Sequence, residues 1–139
     1  MLQLAELPST RVVSRSSLYV TEPVGPRNQP DFVNAVAGLK TALPPLVLLD
    51  HMQRIEHQHR RLRSQRWGRR SLDLDVLLYG PRTMNLPRLQ VPHPYLHRRA
   101  FVLIPLNEIA PHLSIPGSGR LSTLLARMDR GDISSVKKL

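Results

Sequence analysis

Two aspartates separated by one residue, Asp73 and Asp75, interrupt an apolar alternation of Leu72, Leu74, Val76 and Leu78. Side chains of an extended strand alternate between faces, so the aliphatic residues can face a core while both acids share the opposite side. At a rise of about 3.3 Å per residue, the two acidic Cα atoms would stand roughly 6.6 Å apart. A carboxylate pair on a stiff strand suits Mg2+, a hard cation that takes oxygen ligands with little tolerance for distortion. By itself such a pair is more often the solvated side of a strand. Its neighbours change that reading. Just upstream lie Arg54, Arg60, Arg61, Arg63, Arg66, Arg69 and Arg70, with Glu56 the one acid between 54 and 70. Guanidinium groups grip phosphate oxygens through a planar fork and stay charged. Acids for a metal beside cations for phosphate predict a magnesium–nucleotide site.

Composition leaves two classes of ligand open. Twenty Lys and Arg against ten Asp and Glu give the 139-residue chain a formal charge of +10. That balance suits either a nucleic-acid surface or a cradle for a polyphosphate. The aspartate pair would repel bare phosphates, and an aromatic content of 4% leaves little platform for stacking bases. Both facts favour a nucleotide over nucleic acid, with a basic RNA-binding domain as the alternative. Cysteine is absent, which excludes disulfides and thiolate metal sites and is compatible with the cytoplasm. No apolar run approaches the ~20 residues of a membrane span, and no secretory signal is visible. The expectation is one cytoplasmic domain with no membrane or nucleic-acid partner.

The positioning elements follow from periodicity. Residues 1–8 read as the end of a helix stopped by Pro8, and 11–20 as a strand. Residues 22–30, with three prolines, form a loop. Residues 31–40 form a second strand, with Val33, Ala35, Ala37 and Leu39 on the apolar side and Phe32 and Asn34 on the other. Pro44 and Pro45 open a helix carrying Leu48, Met52, Ile55, His59 and Leu62. A polar loop at 63–70 leads into the aspartate strand, which ends at Gly80. After a connection at 81–90 come a helix over 98–110, a turn at Pro116, Gly117 and Gly119, and a last helix carrying Leu121, Leu124, Leu125 and Met128. The chain end reads as frayed. His57 and His59 are not a metal pair, because a helix turns i and i+2 to different sides. One further strand in front would complete βαββαβ, the α+β ferredoxin-like core.

The segment R-W-G-R-R-S-L-D-L-D-V-L-L-Y at 66–79 resembles the signature of the 6-hydroxymethyl-7,8-dihydropterin pyrophosphokinases, R-W-G-P-R-[TS]-[ILV]-D-[LI]-D-[ILV]-x-L-[YF]. Arg69 stands where that family has proline, which should make the surrounding loop less rigid. Residues 19–34, Y-V-T-E-P-V-G-P-R-N-Q-P-D-F-V-N, resemble its pterin-binding segment, and residues 91–111 resemble its third conserved block. The likeness covers roughly residues 5–115, in order. It implies the ferredoxin-like fold and transfer of pyrophosphate from ATP to the pterin hydroxymethyl, releasing AMP, in folate biosynthesis. It also implies roles. Asp73 and Asp75 would hold two Mg2+ ions, and Arg61 and Arg70 would be catalytic with them. Arg63, Arg66, Arg88, His93 and Arg99 would surround the nucleotide. Thr21, Pro23, Val24, Phe32, Asn34, Trp67 and Phe101 would surround the pterin, whose flat ring needs aromatic sandwiching and edge hydrogen bonds. The partners expected are these two small molecules, with the chain a monomer.

The family begins with a strand, a G-S-N loop and a long helix, whereas this chain starts near the end of that helix. The absent strand would be interior, and its neighbours would keep unpaired backbone groups. Three explanations are weighed: a start placed too late, a truncated relative with impaired activity, and a strand supplied by a second copy. The first is preferred.

Overall fold

Both expected strands of the first forty residues are broken, and at matching places. The computed structural model describes residues 2–21, 32–64 and 72–139. A short helix α1 (Leu2–Ala5) is followed by β1 (Thr10–Arg15), β2 (Tyr19–Thr21), β3 (Phe32–Asn34) and β4 (Ala37–Thr41). Ser16 N–H donates to the Val36 carbonyl at 2.8 Å, and Val36 N–H donates to Ser16 Oγ at 2.9 Å. A serine hydroxyl thus takes the place of a ladder carbonyl, which local side-chain bonds can do. Each half then has its own partner: β1 pairs with β4, and β2 with β3. The break corrects the expected alternation across 31–40. Val36 is buried, whereas Val33 is 52% exposed. A slip of one residue exchanges the faces of everything beyond it. At Gly38 a Cβ would meet Ser14 Oγ, so a larger residue there would have to turn the Ser14 hydroxyl aside.

Further on, α2 spans Pro45–Ser64, β5 Met84–Asn85, β6 Gln90–Val91, α3 Ala100–Ile109, β7 Ser114–Ile115, β8 Gly119–Arg120, α4 Leu121–Ala126, α5 Arg130–Ser134 and β9 Val136–Lys138. Chain contacts divide these into two compact units, Met1–Val12 with Leu39–His93, and Val13–Gly38 with Pro94–Leu139. The mixture of helices and antiparallel strands is α+β, consistent with the ferredoxin-like class expected from the element order. No helix among the described residues is long and apolar enough to cross a membrane.

In the first unit, Pro45 opens α2 as expected, and Leu48, Leu49, Met52 and Ile55 are buried along it. The helix runs to Ser64, so Arg63 belongs to its last turn and not to the expected loop. Arg, Leu and Gln all favour helix, and no breaker comes before Gly68. The rest of that loop lies outside the described residues, as does the loop at 22–30. The aspartate segment, 72–79, expected as a strand, joins no ladder among the described residues. Its side chains nevertheless alternate at first as a strand's would: Leu72 and Leu74 half-buried, Asp73 and Asp75 exposed, Val76 buried. It stops at Gly80, whose φ of 55° suits a residue without a side chain. The expected plain connection after it contains the hairpin β5–β6.

The second unit centres on α3, which packs on β2, β3, β9, α4 and α5. Leu103 and Leu121 are fully buried, each stabilising the fold by about 1.5–3 kcal/mol. The expected turn near 117 joins β7 to β8, with Gly117 and Gly119 at positive φ. The expected frayed end is instead a strand. β9 pairs antiparallel with β2, and Leu139 N–H donates to the Leu18 carbonyl at 2.9 Å. Three residues of V-K-K are too short to announce a strand; the open edge of β2 recruits them.

Candidate functional site

The first unit holds the acids. Glu56 on α2 accepts a hydrogen bond from the Leu74 amide through Oε2 at 2.8 Å, and the Tyr79 hydroxyl donates to the Leu43 carbonyl just before that helix. The 72–79 segment is therefore tied to α2 near its start and to the residues just before α2 at its end, although it has no strand partner among the described residues. Asp73 and Asp75 flank the gripped amide and are exposed. Their hard carboxylates stand on the solvent side, and no group of three or more metal-binding side chains occurs among the described residues. That donor set fits Mg2+, which is commonly held by one or two carboxylates and completed by water and substrate phosphates.

Three cationic or imidazole candidates whose side chains are described belong to this unit. Arg61 is exposed near the end of α2, the helix that carries Glu56. The His93 amide donates to the Leu77 carbonyl at 2.8 Å, which fixes the His93 backbone two residues from Asp75. Arg88 is anchored back onto α2, where its Nη2 bonds Asp50 Oδ1 and, at 3.1 Å, Gln53 Oε1.

The second unit holds the described residues expected around the heterocycle. The register pairs Thr21 with Phe32 and Tyr19 with Asn34. Directly paired residues of an antiparallel ladder share a face, and so do residues two apart. Thr21, Phe32 and Asn34 therefore lie on one face of the β2–β3 pair, with Tyr19. Phe32 is 59% exposed, unusual for a phenylalanine that has only packing to do. Thr21 Oγ1 is buried with no hydrogen-bond partner among the described residues. Such an orphaned hydroxyl is costly and calls for a partner. Phe101 opens α3, and the Arg99 guanidinium lies 5.6 Å from its ring centroid and 5.5 Å from that of Tyr95. Arg99 is thus fixed between two rings, within the range of cation–π attraction. Pro23, Val24, Arg66, Trp67 and Arg70 lie outside the described residues, as does the side chain of Arg63.

Sequence reasoning missed three supporting groups. Glu56 stood out only as an isolated acid among arginines. Tyr95 had no assigned partner, although its spacing of four from Arg99 was a usable signal. Glu108 gave none: its carboxylate accepts from the Tyr19 hydroxyl at 2.6 Å, the Ser17 hydroxyl at 2.9 Å and the Ser17 amide at 3.0 Å. The Tyr19 hydroxyl, with the Ser17 bonds and the Lys138 charge behind it, holds the Glu108 carboxyl below its ordinary range. The same bond, then burial, then the Glu108 charge push the Tyr19 phenol up.

Comparison with known proteins identifies the family. The family model for 7,8-dihydro-6-hydroxymethylpterin-pyrophosphokinase matches residues 1–111. The 2-amino-4-hydroxy-6-hydroxymethyldihydropteridine pyrophosphokinase of Pseudomonas aeruginosa is 53% identical over 120 residues, covering 86% of this chain and 74% of that protein. The protein of the same name from Haemophilus influenzae is 48% identical over 122 residues, 88% of this chain and 76% of its own length. That of Methylorubrum extorquens is 42% identical over 134 residues, 96% and 84%. The chain belongs to the 7,8-dihydro-6-hydroxymethylpterin-pyrophosphokinase family.

Proposed function

We propose that this chain transfers the terminal diphosphate of ATP to the hydroxymethyl group of 6-hydroxymethyl-7,8-dihydropterin with Mg2+ present, as a monomer in the cytoplasm. The hydroxyl oxygen bonds to the β-phosphorus, the bond from that phosphorus to the oxygen it shares with the α-phosphate breaks, AMP leaves, and the hydroxyl proton passes to solvent. Such transfer depends mainly on alignment and on charge placed where it develops.

Asp73 and Asp75 would hold Mg2+, which when bound neutralises phosphate charge and polarises the attacking hydroxyl. Arg61 and Arg70 would brace the phosphate oxygens through their guanidinium forks. Arg63, Arg66, Arg88, His93 and Arg99 would orient the nucleotide. Thr21, Pro23, Val24, Phe32, Asn34, Trp67 and Phe101 would form the pterin's surroundings. Asn34 has both a donor and an acceptor for an aminopyrimidinone edge. The exposed Phe32 ring and the buried Thr21 hydroxyl, which has no hydrogen-bond partner among the described residues, support a ligand on that face.

One observation carries the reading: the family match spans 111 residues and includes a D-x-D pair exposed on a segment fixed to α2. The test is AMP release from ATP with the pterin alcohol, with and without Mg2+, for the wild type and Asp73→Asn/Asp75→Asn. Magnesium-dependent AMP release that falls about 100-fold or more in the double variant is expected, on the scale of losing a principal charge stabiliser. Absence of AMP release by the wild type at saturating Mg2+, or an unimpaired double variant, would sink it.

A further inference from the structure

We propose that Glu108 is a positioning residue for the pterin: its carboxylate locks the far end of α3 onto the start of β2 and so sets where Phe101 stands relative to Thr21, Phe32 and Asn34. The inference rests on the functional reading above and adds a residue that touches neither substrate in that reading.

Glu108 is exposed, yet it is not an ordinary solvated acid. Its Oε1 accepts from the Tyr19 hydroxyl at 2.6 Å and the Ser17 amide at 3.0 Å, and its Oε2 accepts from the Ser17 hydroxyl at 2.9 Å and the same amide at 3.1 Å. Tyr19 is itself buried, at 7% exposure, so one side of the lock lies in the core. The lock lies in an informative place. Phe101 and Glu108 are seven residues apart, close to two full turns, so they project from nearly the same side of α3, about 10.5 Å apart along its axis. Tyr19 shares its strand face with Thr21, about 6.6 Å away, and the register sets Asn34 and Phe32 opposite those two. Fixing Glu108 to Tyr19 and Ser17 therefore pins one end of a stiff helix to the strand that bears the pterin-facing groups, while the other end presents the ring. An apolar contact would permit sliding. A carboxylate with both oxygens engaged does not, because charged hydrogen bonds are directional and short.

The test compares Glu108→Ala, Glu108→Gln and Tyr19→Phe with the wild type. The readouts are separate KM values for pterin and MgATP, kcat, and pterin affinity from the ligand's own fluorescence. Far-UV circular dichroism and Tm verify folding. Glu108→Ala should raise the pterin KM and Kd about tenfold and leave the MgATP KM within about twofold, the pattern of lost binding on one substrate only. Glu108→Gln, whose amide oxygen still accepts from Tyr19 and Ser17, should recover much of that loss. Tyr19→Phe should give a smaller rise, and the Glu108→Ala/Tyr19→Phe double variant should be no worse than Glu108→Ala, because both remove one shared bond. A folded Glu108→Ala protein with unchanged pterin KM overturns the proposal, and so does an equal rise for both substrates. If Glu108→Ala does not fold, Tyr19→Phe, which keeps the ring, decides by the same split. If the wild type itself does not bind the pterin, the functional reading fails and takes this inference with it. Wild-type binding that Glu108→Ala retains overturns the inference alone.

Discussion

Glu56 Oε2 accepts a hydrogen bond from the Leu74 amide at 2.8 Å, so the one acid between Arg54 and Arg70 holds the backbone between Asp73 and Asp75. The bond restrains a segment that no ladder restrains. Hydrogen bonds to charged groups contribute about 1.5–3 kcal/mol, so Glu56→Ala should lower unfolding free energy by about that much in urea melts. It should also lower kcat about tenfold at saturating substrates, because carboxylates placed an ångström off lose alignment. Glu56→Gln should lose less on both measures, since its amide oxygen can still accept from Leu74.

Arg88 and Asp50 form an ion pair whose side chains are 50% and 52% exposed. Exposed pairs contribute about 0–1 kcal/mol, so Asp50→Asn should leave Tm nearly unchanged. Arg88→Ala should be just as neutral for stability, yet should raise the KM for MgATP if the guanidinium serves the nucleotide. Paired thermal melts and initial rates separate the two effects. A fall in Tm without a change in KM would assign Arg88 a structural role.

The parts of this molecule that sequence made legible are those with a long period or a strong breaker. α2 could be read from Pro45 and the spacing of Leu48, Met52 and Ile55, and α3 from the apolar run after Arg99. The exposed acids could be read from the alternation around Leu74. What could not be read depends on contacts far apart in the chain. Ser16 and Val36 meet across twenty residues and break two strands whose composition gives no sign of it. β9 exists because β2 has an edge to fill. Glu108 lies eighty-nine residues from Tyr19, and no local pattern distinguishes it from a surface acid.

The same pair predicts how stability varies with pH. The Tyr19 and Ser17 hydrogen bonds lower the Glu108 pKa in the folded protein, so its contribution is present above the ordinary carboxylate range and is lost as pH falls through the folded value. Tyr19 is shifted the other way, by the Glu108 bond first. Its contribution is present below the ordinary tyrosine range and is lost as pH rises towards the raised value. The stability gap between wild type and Glu108→Gln should therefore be constant near neutrality and shrink on acidification. The gap to Tyr19→Phe should shrink at the alkaline end. Urea melts from about pH 3 to 11, bracketing both ordinary pKa values, would measure this. A gap that does not change with acid would contradict the assignment.

The C-terminal strand makes a last prediction, because β9 covers the side of β2 that β3 does not. Val136 pairs with Thr21 and Lys138 with Tyr19, so ending the chain at Ser135 turns β2 into an edge strand at the residues proposed to face the pterin. The lost ladder and the lost Leu139-to-Leu18 bond should lower Tm by several degrees, at about 2–4 °C per kcal/mol for a domain near this size. The kinetic consequence should be selective. Thr21 is in β2 and Phe32 is paired to it, so the pterin KM should rise, whereas the Leu74-to-Glu56 bond between Asp73 and Asp75, and the helix that carries Arg61, are not touched by the truncation. Initial rates with each substrate varied in turn would distinguish this from general loosening, in which both KM values rise together.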